Sequence, residues 1–294
     1  MSRERSNRES IARLQIITAM IFFGTLGLFV KNIALPSAEI ALWRGAIAFI
    51  VLLLFMLFSG RLKKLYAVRT KIALLFISGA VMGFNWILFF EAYNYTSVAL
   101  TTLSYYFAPT VVIIFSTIIF KERINFKQVL CFLGSTGGLF LIIGVSGGGS
   151  NDLIGILFGL GAAVLYATVV LINKATGMID GVTRTWLQFG SAVIVLLPYV
   201  YLTGGFNLTE LDYISLANLL ILAVVHTGFI YYLYFTSLAY LRGQQAAILS
   251  YIDPLIAVLV SLLILRESIT AWQLIGGFFI LFFTLLNEIK VKLK

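Results

Sequence analysis

The sequence predicts an all-α polytopic membrane protein, with ten transmembrane helices arranged as two inverted five-helix repeats. Three observations predict it. Hydrophobic residues make up 61% of the 294 positions and charged ones only 11%, about half the charged fraction of a soluble chain. The apolar material also falls into runs of about twenty residues, the length that crosses roughly 30 Å of hydrocarbon. Finally, one pattern is written twice. Leu103-Ser104-Tyr105-Tyr106-Phe107-Ala108-Pro109 leads on to Glu122, and Leu249-Ser250-Tyr251-Ile252-Asp253-Pro254 leads on to Glu267. The glutamate follows the proline by 13 residues in each copy, and the copies lie 145 positions apart.

The first repeat is expected over 13–145, with spans 1 to 5 near 13–30, 38–59, 72–93, 97–118 and 127–145. The second is expected over 153–289, with spans 6 to 10 near 153–173, 184–203, 215–238, 244–265 and 271–288. Each should be a helix, because lipid offers no partner to an unpaired backbone group. Nothing in the runs alternates as the strands of a barrel would. Residues 1–12 read as a charged cytoplasmic tail with no signal-peptide core. Residues 146–152, opening on Ser146-Gly147-Gly148-Gly149-Ser150, read as a flexible linker, and 290–294 as a basic tail. Gly83-Phe84 recurs as Gly228-Phe229 and Trp86 is matched by Tyr231 at the same 145-residue offset, while Lys31 and Trp43 are matched by Lys174 and Trp186 at an offset of 143. Because five is odd, the second repeat must enter the membrane upside down, which implies alternating access around a site between the halves.

The basic residues set the expected orientation. With the N-terminus cytoplasmic, inner segments collect 18 of the 21 Lys and Arg residues, leaving Lys31 and Arg266 outside and Arg44 within a span. That bias places both termini in the cytoplasm. The net charge of +9 is therefore a topology signal and no nucleic-acid partner is implied. A single cysteine, Cys131, excludes an intrachain disulfide and argues against a cysteine metal site. The sequence holds no phosphate-binding glycine loop with lysine, no His-Glu-x-x-His and no nucleophile elbow, so neither nucleotide hydrolysis nor enzymatic chemistry is expected, and no cofactor is implied.

Taken together, the ten spans in two halves, the Trp43-Arg44 pair early in span 2 and the duplicated Pro-to-Glu segments 109–122 and 254–267 resemble the drug/metabolite transporter superfamily, in its bacterial EamA-type branch. The resemblance covers essentially the whole chain. It implies a secondary transporter of the cell inner membrane, commonly an exporter of amino acids or other small metabolites, with a central cavity between the halves. Leu187 stands where a partner for Arg44 would be, so the arginine is not shared between the halves.

Ionisable groups within the membrane are expensive and are functional candidates for that reason. Asp253 comes about nine residues into span 9, some 14 Å deep at 1.5 Å per residue, and directly precedes Pro254. It reads either as a carboxylate that carries a proton or cation, or as one whose hydrogen bonds stabilise a kink. His226, the one histidine, lies about a dozen residues into span 8. It reads as a partner that shares a proton with Asp253, or as a packed, hydrogen-bonded ring. Arg44 is expected to pair with a substrate carboxylate, or with Glu39 or Glu91 as an outer ion pair. Asn85, Trp86, Tyr105, Tyr106, Tyr166 and Tyr251 are candidate lining residues, since aromatic faces attract cations and hydroxyls orient polar groups. With 25 Phe, 14 Tyr and 4 Trp in the chain, most aromatics must instead pack or face lipid. Pro109 and Pro254 are the expected hinges, and Glu122 and Glu267 are expected to brace the gates. The small-residue spacings Gly79/Gly83, Gly134/Gly138 and Gly155/Gly159 should allow close helix contact.

The expected activity is secondary-active export of a small metabolite by alternating access, with proton coupling through Asp253. An uncoupled facilitator or channel is the alternative, and a membrane enzyme or scaffold a more distant one. One chain contains both halves, so a monomer is sufficient to form the cavity.

Overall fold

A computed structural model describes residues 2–121, 125–144, 150–238, 240–241 and 243–288. Among these residues there are ten apolar helical segments, in the order and places the sequence predicts. Seven are long and apolar enough to cross a membrane: Arg8–Val30, Ser37–Phe58, Val68–Tyr95, Val98–Phe120, Asn151–Thr176, Gly181–Thr203 and Tyr213–Leu238. Three are shorter: Phe126–Ile142, Ile248–Ile264 and Ala271–Asn287. These are spans 1 to 10 with span 5 at Phe126–Ile142, span 9 at Ile248–Ile264 and span 10 at Ala271–Asn287. Large apolar side chains such as Phe58, Phe140, Leu202 and Leu263 point outward, as a bundle solvated by lipid requires.

The pairing of spans across the halves is symmetric. Span 3 packs on spans 6 and 7, and its equivalent, span 8, packs on spans 1 and 2. Span 4 packs on span 6 as span 9 packs on span 1, while 2 with 7, 4 with 9 and 5 with 10 are self-equivalent pairs. A pseudo-two-fold relation between inverted repeats generates this set. At the 5–10 pair the backbones meet glycine to glycine: a Cβ on Gly138 would lie 2.6 Å from the Gly276 carbonyl oxygen, and one on Gly276 would lie 2.5 Å from that of Gly138. The small residue is what permits the approach.

Both proline motifs break their helix. Span 4 is helical over Val98–Tyr105, turns at Tyr106 and Phe107, and restarts over Ala108–Phe120 with Pro109 in its first turn. Span 9 runs Gly243–Ser250, turns at Tyr251, and restarts over Ile252–Leu259 with Asp253 and Pro254 in its first turn. Proline is tolerated in a first turn, where its missing N–H would lack a partner anyway, so each motif restarts a helix rather than bending one.

Further irregularities were not visible in the sequence. Span 1 breaks at Thr25, between Ser2–Gly24 and Leu26–Val30. Span 8 is π-helical over Ile221–Phe229 and span 9 over Val260–Ile264, whereas the equivalent stretches of spans 3 and 4 are regular α-helix. Two expected boundaries need correction. The tail expected at 1–12 is helical from Ser2 and continuous with span 1, and Ser150 to Asp152 belong to the helix of span 6 rather than to a linker. The glycines of that linker and the tail at 290–294 lie outside the described residues.

Candidate functional site

The site is built on the two breaks. The turn in span 4 aims the Tyr106 side chain across the half-to-half boundary, where its hydroxyl lies 2.9 Å from Asp253 Oδ2 and 3.1 Å from the Ser250 carbonyl oxygen. The turn in span 9 brings Tyr251 to the same place, with its ring 6.0 Å from that of Tyr106. Asp253 and the equivalent tyrosines of the two repeats therefore share one locus. Tyr105, next on span 4, packs its ring 5.4 Å from Tyr166 of span 6 and 4.6 Å from Phe89 of span 3. Tyr166 is 42% exposed although it faces this cluster, so the cluster borders open space.

Asn85 is buried and donates from Nδ2 to the Ala162 carbonyl oxygen at 2.6 Å, tying span 3 to span 6. Trp86 is 5% exposed and lies between Arg44 and Phe189. Its ring shapes the Arg44 environment. Tyr93, Tyr105, Tyr106, Tyr166 and Tyr231 all lie within electrostatic range of the Asp253 carboxyl. Tyr93 and Tyr231 escaped sequence reasoning, as did Thr227. Tyr231 carried one usable signal, its place opposite Trp86 in the repeat.

Two predicted pairings are corrected. Arg44 does not bridge to Glu91 or Glu39. It is 3% exposed, donates from Nε to Thr227 Oγ1 at 2.7 Å, and lies over the rings of Trp86 at 4.9 Å and Phe90 at 5.4 Å. Glu91 accepts from Asn94, and Glu39 accepts from Trp43 and Asn207. The π-helical turn explains Thr227: its hydroxyl donates back to the Leu222 carbonyl oxygen at 2.9 Å, five residues earlier, leaving its lone pairs to Arg44. The structure also does not bring His226 to Asp253. The imidazole is buried, with Nε2 3.0 Å from Thr25 Oγ1, Nδ1 3.4 Å from the Ile221 carbonyl oxygen, and Phe22 and Phe29 on its faces. Position along the helix does not fix the direction around its axis, and that direction decides which partner each residue meets.

At the Lys31 end of the bundle, Glu267 ties three spans together. It forms an ion pair with Lys31, accepts the Val98 N–H at 2.8 Å, and accepts from Ser261 Oγ at 2.5 Å. Thr96 donates to Asp152 2.7 Å away, adding span 6. At the opposite end, Lys174 donates to Ser116 Oγ at 3.2 Å and lies 4.7 Å from the Phe120 ring centre. Lys174 is the repeat equivalent of Lys31, and Ser116 that of Ser261. Glu122, expected to complete that end, lies outside the described residues.

A separate cleft of about 360 Å³ lies between spans 2 and 7, lined by apolar side chains including Leu42, Trp43 and Leu197. Neither Asp253 nor Arg44 lines it. Among the described residues no group of His, Cys, Asp and Glu is arranged to hold a metal ion.

Known proteins match this chain over most of its length. The model of the EamA-like transporter family matches twice, at residues 10–144 and 153–288. The Bacillus subtilis uncharacterized transporter YxxF is 29% identical over 260 residues, covering 86% of this chain and 81% of the relative. An uncharacterized transporter of Archaeoglobus fulgidus is 29% identical over 269 residues, 90% of this chain and 92% of its own length. Protein PecM of Dickeya dadantii is 27% identical over 214 residues, 70% of each chain. A solved crystal structure superposes with a TM-score of 0.62 over 95% of this chain and 96% of its own, at 18% identity, a likeness of fold.

Proposed function

The chain belongs to the EamA-like transporter family, and from that premise we propose that it is a secondary-active exporter of small metabolites, with amino acids and their close relatives as the substrate class. As a transporter it is a multi-pass membrane protein with a small-molecule substrate, and not an enzyme. The positive-inside bias supports an inner-membrane orientation with both termini cytoplasmic. In that orientation the Lys31–Glu267 cluster closes the outer end, and opening it exposes Asp253 and its neighbouring tyrosines to the outside. The half-to-half contacts rock about the breaks at Pro109 and Pro254, which separate each helix into two short rigid pieces.

The observation that carries this reading is the placement of Asp253. A carboxyl at a helix break, hydrogen-bonded by a tyrosine of the other half, changes its surroundings whenever the halves move. Proton uptake at Asp253 in one state and release in the other couples solute movement to the proton gradient.

The test is counterflow in proteoliposomes loaded with a mixture of the proteinogenic amino acids. Saturable uptake of the corresponding external labelled amino acid, accelerated by internal substrate, is the expected result. Linear, non-saturating flux without counterflow would replace the alternating-access reading with that of an uncoupled facilitator.

A further inference from the structure

Arg44 is a cation buried in the bundle without an anion. Among the described residues three ion pairs form, Arg13 with Glu9, Lys31 with Glu267 and Arg61 with Asp180, and none includes Arg44. Among the described residues its one hydrogen bond runs from Nε to Thr227, and the two terminal nitrogens have none. The side chain is 3% exposed, and neither terminal nitrogen is among the fully enclosed atoms that lack a partner. The rings of Trp86 and Phe90 hold the guanidinium by its face but do not neutralise it, and a lone charge in a membrane interior is costly.

A cluster of tyrosines lies around Arg44. Tyr93, Tyr105 and Tyr231 each lie within electrostatic range of both Arg44 and Asp253. The two charges themselves form no pair. They share these tyrosines as neighbours, one charge contributed by each repeat.

We propose that Arg44 is the carboxylate-binding residue of the substrate site, receiving the anionic end of a zwitterion whose cationic end lies toward Asp253 and the surrounding tyrosines. Two adjacent terminal nitrogens match the two oxygens of a carboxylate. Nε, fixed on Thr227, and the two aromatic faces hold the fork in place, so it needs no rearrangement to bind. The proposal rests on the transporter reading of this residue cluster and makes it more specific: both charged ends are required. Amines and amides with the same side chain are poor substrates because they leave the guanidinium unpaired.

The experiment loads proteoliposomes with an equimolar mixture of the proteinogenic amino acids, their amides and their decarboxylated amines. Efflux of each is followed by mass spectrometry, with protein-free liposomes as the leak baseline. The amino acid that leaves fastest should leave about 10- to 100-fold faster than its own amide and amine, the range a hydrogen bond to a charged group supplies. Arg44→Gln should bring that ratio close to one, and Arg44→Lys should keep part of it. Wild-type protein releasing amides or amines as fast as the parent acids would overturn the proposal while leaving the transporter reading intact. The same result follows if Arg44 permanently holds a lipid phosphate or an inorganic anion. If wild-type protein releases none of these compounds, the amino-acid transport reading and this proposal fall together. Should Arg44→Gln not fold, the wild-type acid-to-amide ratio alone decides.

Discussion

In span 4 the helix stops at Tyr106 and Phe107 and restarts with Ala108 and Pro109; in span 9 it stops at Tyr251 and restarts with Ile252, Asp253 and Pro254. The backbone event is the same in both, down to the proline in the new first turn. The side chains differ. Asp253 faces Ala108 in the repeat alignment, Thr227 faces Met82, and Arg44 faces Leu187. Among the described residues the π-helical turns occur only in the second half, one presenting Thr227 to Arg44 and the other presenting Ser261 to Glu267. Such turns recur at functional positions because they rotate a side chain out of the helical register. The comparison teaches that duplication supplied the breaks and the packing, which both sides of a membrane need equally. The charged groups are divided, with Arg44 on one repeat and Asp253 on the other, an arrangement that suits the proposed zwitterionic substrate.

Where the halves agree, disturbance should be most damaging. Gly138→Ala puts a Cβ 2.6 Å from the Gly276 carbonyl oxygen and 2.8 Å from Phe279 Cβ, and should lower stability by about 1–3 kcal/mol. Gly137→Ala, which meets nothing within 4 Å, should stay within about 0.5 kcal/mol. Thermal unfolding in detergent distinguishes them. Thr227→Val attacks a difference between the halves, leaving the buried Arg44 Nε without an acceptor; it should lose about 1–3 kcal/mol, with Thr227→Ser restoring most of it.

The two ends of the bundle provide a finer test. Lys31→Gln removes one side of a partly exposed ion pair and should cost about 0.2–1 kcal/mol, less in high salt. Glu267→Ala should cost more, because the Val98 N–H and the Ser261 hydroxyl lose their acceptor as well. Chemical denaturation at two ionic strengths reads both.

The smallest effect concerns how equivalent spans begin. Span 8 starts at the Asp212 cap, which accepts the Ser215 N–H at 3.0 Å, while span 3 starts at Lys71 with no side-chain cap. Hydrogen bonds from Ser215 hold the Asp212 carboxyl below its ordinary range. A lowered folded value means the cap stabilises above the ordinary carboxyl range and loses its contribution as pH falls through the lowered value. Protection of the Ser215 amide, taken relative to the intrinsic exchange rate at each pH, should therefore be high at pH 6 and fall once the pH drops below the ordinary carboxyl range. Asp212→Ala should remove that dependence, and the start of span 3 should show none.

Much of this molecule was legible in its sequence. The spans could be read because crossing lipid fixes both length and composition, and the inversion because five is odd. The helix breaks could be read because proline lacks an N–H. Asp253 and Tyr106 were found for the same reason, since they adjoin those prolines. What could not be read was direction around each helix axis. In a soluble helix the polar face marks solvent, but here both faces are apolar, so Thr227, Tyr93 and Tyr231 looked like any other hydroxyl in a span. For that reason the sequence left His226 open between sharing a proton with Asp253 and packing as a hydrogen-bonded ring, and the ring meets Thr25, while Arg44, open to a substrate carboxylate, Glu39 or Glu91, donates to Thr227. The π-helical turns left no compositional trace at all.

The central claim is that the carboxyl carried only by the second break couples solute to protons. A pH-sensitive dye enclosed in proteoliposomes, read while an amino acid leaves down its gradient, measures this directly. Wild-type protein should move protons inward in step with efflux; Asp253→Asn should exchange solute without moving protons, and adding Ala108→Asp to it should not restore coupling. Proton movement that persists in Asp253→Asn at the wild-type ratio to solute would contradict the account.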